Sequence, residues 1–303
     1  MLFPIRRASD VKSAARKLVQ AVTPKDPPPH GQAIHIDYPV HPRARPWKNV
    51  LGMRRLEGQF RACLPSAALL LQRILELQEN LLAISPHPDP KRPGAPQWIN
   101  PMFPALDAAV LYGLLALRNP RWYVEVGSGY STCFARRAIQ DLGLRTRIIS
   151  IDPCPRAEID ALCDQVIRVP LEELQLSEVT DLTKEDLLFV DSSHRTFQNS
   201  DVTVFFLEIL PSLPPGLAYG LHDIFLPADY PDAWADRFYS EQYLLASYLN
   251  GGGDGDEVLL PHAYLCMETE LPRLFEPLFD RLDLPAENRV GSAFWLRRHP
   301  QRF

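Results

Sequence analysis

Val124-Glu125-Val126-Gly127-Ser128-Gly129-Tyr130-Ser131-Thr132 joins a short β-rich run to the start of a helical pattern. Upstream, Trp122 to Val126 is aromatic and β-branched, the composition of a strand. Downstream, Phe134, Ala138, Ile139 and Leu142 fall on one side of a helix over Ser131–Leu142, with Arg136, Arg137 and Gln140 on the other. Two glycines between strand and helix let backbone N–H groups approach a ligand closely. The same glycines would also serve a tight turn that holds nothing.

A dinucleotide-binding fingerprint wants a third glycine where Thr132 stands. Nor does a pyrophosphate favour a carboxylate such as Glu125 beside it. A ligand with a cationic amino group and no pyrophosphate has a use for that acid, and S-adenosylmethionine is such a ligand. The next strand, Arg147 to Ile151, ends at Asp152, 23 residues beyond Gly129. An acid at that distance, at the end of the second strand, is placed to accept hydrogen bonds from ribose hydroxyls. A surface helix cap is the alternative use of Asp152.

Outward from this pair, strands and helices alternate. Leu106–Leu117 reads as an apolar helix stopped by Asn119-Pro120. Val166–Val169, Leu187–Val190 and Leu217–Ile224 read as strands three to five. A short helix is expected near Ala157–Leu162 and longer ones over Phe197–Leu210 and Ala233–Leu249, the last ending at Gly251-Gly252-Gly253. Late strands are expected near Val258–Leu260 and at Ser292–Leu296. Strands apolar throughout indicate a parallel sheet covered on both faces. Ligands of such sheets bind beyond the carboxyl ends of the strands.

The fourth strand runs into Asp191-Ser192-Ser193-His194 and the fifth into His222-Asp223. Neighbouring strands would bring Asp191, His194, His222 and Asp223 to one end of the sheet. Two carboxylates with a histidine, Asp191, His222 and Asp223, suit a divalent metal, oxygen ligands favouring magnesium and imidazole favouring softer ions. His194, with an ordinary pKa of about 6.5, is a natural general base, and His222 is the other candidate. Each histidine taken singly would more often be structural.

With 46% hydrophobic and 23% charged residues over 303 positions, the chain has the composition of an ordinary globular protein. No run nears the roughly 18–20 apolar residues of a spanning helix. A net charge of −5 leaves no cation surplus for phosphates and argues against a nucleic-acid partner. Five cysteines without a CxxC pair suggest reduced thiols in a cytoplasmic protein.

Proline divides the chain, with seven residues in 21–50 and seven in 85–104, both expected to be extended connectors. Between them, Leu64–Ile84 has helical apolar spacing. Residues 1–95 therefore read as an N-terminal extension with a helical appendage, and 96–303 as the ligand-binding domain. Ile5–Val22 sets Arg6, Arg7, Lys12, Arg16 and Lys17 among Val11, Leu18, Val19 and Val22. Such a helix would dock on the protein, be solvated, or make weak contact with an anionic membrane surface.

The segment Tyr123–Thr132 resembles the first motif of class I S-adenosylmethionine-dependent methyltransferases. Asp186 to His194, continuing through Pro211, Gly216, His222-Asp223-Ile224-Phe225 and Pro227, is similar to one bacterial branch of that family. The resemblance implies an α/β fold: a doubly wound, Rossmann-like, mostly parallel seven-stranded sheet whose last strand, Ser292–Arg298, is antiparallel. It implies cofactor contacts at Glu125, Gly127, Ser128, Gly129, Ser131, Asp152 and Asp191, with Pro170-Leu171-Glu172 toward the adenine. Metal-dependent sugar and catechol O-methyltransferases place an acid after strand four and an acidic pair after strand five. Some sugar enzymes use a histidine three residues after the first acid as base. Asp191, His194 and Asp223 fit that pattern. His222 departs from it, since an acid or amide usually partners the aspartate, so a metal-free site with His194 or His222 as base stays open beside one holding magnesium or a similar ion.

The expected activity is direct methyl transfer to a hydroxyl of a sugar or another small polar acceptor. Competing expectations are a nicotinamide oxidoreductase, a methyltransferase-like fold kept as a binding module, and a metalloesterase. Tyr230, Trp234, Tyr239 and Tyr243 would either wall the acceptor or pack along a helix.

Overall fold

The computed structural model describes residues 34–47, 50–155, 158–174 and 181–299; the segment Ile5–Val22 lies outside them. Seven strands form one sheet in the order β3-β2-β1-β4-β5-β7-β6. They are β1 Trp122–Val126, β2 Arg147–Ile151, β3 Gln165–Ile167, β4 Leu187–Val190, β5 Ala218–Leu221, β6 Glu257–Pro261 and β7 Phe294–Arg297. The first five pair in parallel, and β7 runs antiparallel between β5 and β6. Every residue of β4 and β5 is buried, as apolar strands covered on both faces must be. β3 is shorter than its sequence suggests, because the chain leaves the sheet ahead of Pro170, which has no N–H to give to a ladder.

Helix Ala105–Arg118 buries each residue from Ala105 to Leu115, and Asn119 caps it in a left-handed conformation just before Pro120. Helix Tyr130–Leu142 follows the glycine loop. The helix expected from Phe197 begins at Asp201, because Ser200 and Thr203 form a reciprocal cap there. It passes through a π turn at Phe205–Ile209 before ending at Ser212. Of the helix expected near Ala157–Leu162, the described part is one short turn, Asp160–Leu162. Helices His262–Glu268 and Glu276–Arg281 had no clear sequence signal.

The helix expected over Leu64–Ile84 starts earlier, at Leu51, and ends at Leu75, followed by Gln78–Leu82. Its buried stripe, from Met53 through Phe60 to Ile74, belongs to the same core as the sheet. Phe60 meets Tyr264 and Phe294 at ring distances of 5.3 and 5.4 Å. A Cβ on Gly113 would lie 2.4 Å from Ile74, so the glycine sets how closely this helix approaches Ala105–Arg118. The chain divides into two compact units between Pro42 and Arg43. The stripe on Leu51–Leu75 is completed by the sheet's own core. In the first unit, residues 34–42 hold neither helix nor strand.

All five cysteines are free, and Cys154 alone among them is exposed. No helix among the described residues is long and apolar enough to cross a membrane.

Candidate active site

Gly127 has φ +79°, and a Cβ there would stand 1.8 Å from the carbonyl oxygen of Asp191. Its N–H donates to the carbonyl of Ile151 at 2.9 Å. Only glycine lets β1, β2 and β4 converge this closely at their carboxyl ends. Beside it, the Ser128 N–H donates to the Asp152 carboxylate at 2.8 Å, and the Cys154 N–H donates to its other oxygen at 2.8 Å. Each carboxylate oxygen still has a lone-pair direction free for a hydroxyl.

A cavity of about 420 Å³ opens over this turn. Its wall includes Gly127, Ser128, Gly129, Ser131, Asp152, Leu171 and Asp191, all expected from sequence. Glu125 stands apart from that wall. It is fully buried beneath the loop, and its oxygens take hydrogen bonds from the hydroxyls of Tyr123 (2.7 Å) and Thr132. Burial pushes its carboxyl up to about 7 against the opposing hydrogen bonds of Ser131, Thr132 and Tyr123. Thr132 also accepts the Gly129 N–H at 3.1 Å, so it fixes the loop where a dinucleotide site would have a third glycine.

The far end of the same cavity is walled by His194, His222 and Asp223. Nε2 of His194 lies 3.1 Å from Asp191 Oδ1 and 3.6 Å from Asp223 Oδ2. Nδ1 of His222 lies 3.4 Å from Asp191 Oδ1 and 3.5 Å from Asp223 Oδ1. Both histidines thus turn one ring nitrogen to the same two carboxylates. Their other nitrogens are each held by a buried acid: His194 Nδ1 by Glu241 at 2.8 Å, and His222 Nε2 by Asp107 at 3.1 Å.

Local backbone builds this arrangement. His194 and Asp223 are both left-handed, at φ 59° and 54°. The conformation is uncommon outside glycine and concentrates at functional sites. The carbonyl of His194 accepts the N–H groups of Ser240 (2.8 Å) and Glu241 (3.2 Å), which brings Glu241 to the imidazole. Asp107 is fixed by the N–H groups of Ser292 and Ala293 just before β7, and by His262.

The charges follow from these contacts. Burial pulls the His194 pKa down, but Asp191 and Glu241 outweigh it and hold it well above the usual imidazole range. His222 is also pulled down by burial and carried well above that range by Asp191, Asp223 and Asp107. Burial raises Asp191, yet His222 and His194 hold it well below the carboxylate range.

Residues 124–224, about a third of the chain, match the family described as a methyltransferase domain. The matched stretch runs from the strand before the glycine loop through Asp152 to the Asp191–Asp223 cluster, and it is similar to that domain. No curated protein matches the chain. Among solved structures, an O-methyltransferase from Bacillus cereus in complex with S-adenosylhomocysteine is 14% identical, at 75% coverage of this chain, 89% of that one and a TM-score of 0.36. A methyltransferase from Podospora anserina bound to S-adenosylhomocysteine is 12% identical, at 99% and 100% coverage and a TM-score of 0.40. A mycinamycin-pathway methyltransferase in complex with magnesium, S-adenosylhomocysteine and mycinamycin VI is 16% identical, at 59% and 45% coverage and a TM-score of 0.33.

The donor chemistry of this cluster suits a divalent cation. With Glu241 and Asp107 accepting the far ring N–H groups, the near nitrogens of His194 and His222 present lone pairs toward two carboxylates. A proton or a metal ion must stand between them. Ligand atoms of Asp191, His194 and Asp223 all lie within 4.8 Å of one another. A carboxylate behind a ligating imidazole is the usual support of a metal site. The sequence pointed to His222 with the two aspartates; the histidine whose ligand atom closes on both aspartates within 4.8 Å is His194.

The helix expected over Ala233–Leu249 is broken. Asp232–Arg237 is a short tight helix, Phe238 turns left-handed at φ 53°, and Glu241–Asn250 resumes. The break frees Tyr239 to pack on His194 at a ring distance of 4.6 Å, with Tyr230 and Trp234 edge-on to it. The aromatic residues therefore wall the site and also pack on one another. Glu241 and Asp107, the two acids behind the histidines, had no separate sequence signal beyond a charge inside an apolar helix at Asp107.

Proposed function

We propose that the domain transfers the methyl group of S-adenosylmethionine to a hydroxyl oxygen of a small acceptor, with His194 taking the hydroxyl proton. One observation carries this: the glycine loop and the histidine–aspartate cluster share a single cavity. Asp152 would hold the ribose hydroxyls, Leu171 would meet the adenine, and the Gly127–Gly129 backbone would lie along the methionine portion. The acceptor oxygen attacks the methyl carbon, the carbon–sulfur bond breaks, and its electron pair stays on sulfur as S-adenosylhomocysteine. The sulfonium is already a good leaving group, so alignment of oxygen, carbon and sulfur supplies most of the rate. Sugar hydroxyls, which the sequence resemblance implies, are one such acceptor class.

Asp191, Asp223 and Nδ1 of His222 would hold a divalent ion, leaving Nε2 of His194 for the proton. Such an ion would supply a Lewis acid beside the acceptor oxygen and offset the two carboxylate charges that keep a proton on His194. Glu241 keeps the His194 ring oriented, as an acid does behind a catalytic imidazole.

The test is His194→Ala, assayed for S-adenosylhomocysteine formation against a panel of catechols, naphthols and sugars. Turnover should vanish while calorimetric affinity for S-adenosylhomocysteine stays within a few-fold. Unchanged turnover would remove His194 from the mechanism.

A further inference from the structure

A second cavity, of about 460 Å³, adjoins the first and shares Met102, Phe103 and Asp223 with it. Its remaining walls come from the loop after β5, from helix His262–Glu268 and from the segment before β7. They are largely apolar: Phe225, Trp234, Met267 and Val290 face it along with Met102 and Phe103. Met102, Met267 and Val290 keep 43%, 50% and 44% of their surface exposed around this one opening. Large apolar side chains left exposed around a single cleft mark a binding surface. Methionine side chains also adjust to the shape of an occupant.

We propose that this cavity holds the body of the methyl acceptor, and that the acceptor is a hydroxylated aromatic or similarly apolar molecule rather than a free sugar. This rests on the methyl-transfer reading of the adjoining site. Asp223 is the carboxylate common to both cavities, so the hydroxyl to be methylated sits at that junction and the apolar body points away from the cofactor. Trp234 stands edge-on to Phe225 at 5.2 Å and carries the Arg237 guanidinium over its face at 4.0 Å, giving a flat, firm wall. Asn100, Arg237, Glu287, Asn288 and Ser292 supply polar groups to this lining, but most of a free sugar's hydroxyls would still meet methionine, phenylalanine and valine. Each hydroxyl buried without a partner weakens binding roughly 5- to 150-fold. Two or three of them would cancel the affinity of a small ligand. The bonds made and broken are those of the proposed reaction: oxygen–carbon forms, carbon–sulfur breaks, sulfur keeps the electron pair and His194 takes the proton.

Calorimetric titrations with naphthol and with glucose, each with and without saturating S-adenosylhomocysteine, test this. Naphthol should bind, and glucose should not. Val290→Glu and Met267→Glu change exposed rim residues, so thermal melting should be unaltered while naphthol affinity falls at least tenfold. Binding of glucose without naphthol, or naphthol binding indifferent to both substitutions, would overturn the assignment. Failure of S-adenosylhomocysteine to bind would instead sink the methyl-transfer reading. Naphthol affinity without it would still report on the cavity.

Discussion

Nδ1 of His194 lies 2.8 Å from Oε2 of Glu241, a carboxylate with no solvent-exposed surface, 47 residues away in the chain. The contact fixes the ring and keeps a positive charge favourable on it. Glu241 acts as a positioning residue. Glu241→Gln should lower kcat roughly 10- to 100-fold, the usual effect of removing the carboxylate behind a working histidine. Affinity for S-adenosylhomocysteine should be unchanged. Because Glu241 raises the His194 pKa, its loss lets the imidazole shed its proton at lower pH. The acidic limb of the pH–rate profile should therefore move toward lower pH. A profile that drops in height without moving would mean Glu241 only supports the fold.

Glu125 gives a prediction about stability rather than turnover. Its folded pKa, pushed up to about 7 by burial, is above the ordinary carboxylate value. The folded state therefore binds this proton more tightly than the unfolded chain does. That contribution is complete below the unfolded pKa and is lost as pH rises through about 7. Glu125→Gln does not titrate, so its stability relative to the wild type should rise between pH 5 and pH 8. The gain should be on the order of 2–3 kcal/mol. Denaturant unfolding at the two pH values checks it, and a difference independent of pH would show that Glu125 is ionised throughout.

The loop itself is tested by two alanines. Gly127→Ala places a Cβ 1.8 Å from the Asp191 carbonyl and demands a left-handed alanine, so β1 and β4 must part. Thermal stability should fall, and S-adenosylhomocysteine affinity should fall at least tenfold. Gly129 has an extended backbone, and a Cβ added there would meet nothing within 4 Å, so Gly129→Ala should melt within about 0.5 kcal/mol of wild type.

The cluster of Asp191, His194, His222 and Asp223 should also respond to a divalent ion. Manganese added to protein stripped with EDTA should raise the melting temperature. Binding at a hundredfold excess over Kd contributes about 2.7 kcal/mol. Asp223→Asn should abolish most of that rise. An equal rise in the variant would place the ion elsewhere.

Much of the site was legible because its parts sit at strand ends. Apolar strands, glycines between strand and helix, Asp152 after β2 and the polar ends of β4 and β5 are all local patterns. Parallel pairing then brings them together without further information. What stayed hidden depends on distant contacts. Asp107 reaches His222 across 115 residues, and its only local sign is a charge in an apolar helix. Glu241 falls in the interior of the helix expected over Ala233–Leu249, and only the left-handed turn at Phe238 restarts the helix at Glu241 and sets it beside His194. The burial of Glu125 beneath the loop, held by Tyr123 and Thr132, likewise had no local sign. The second cavity draws on four separated segments, none of which has a pattern of its own.

The cavity over Gly127–Gly129 and Asp152 should take S-adenosylmethionine. Calorimetry of the wild type and Asp152→Ala, each titrated with S-adenosylmethionine and with NAD, tests it most directly. Binding of S-adenosylmethionine that weakens at least tenfold in Asp152→Ala, with no binding of NAD, is the predicted result. Binding of NAD with none of the methyl donor would contradict it.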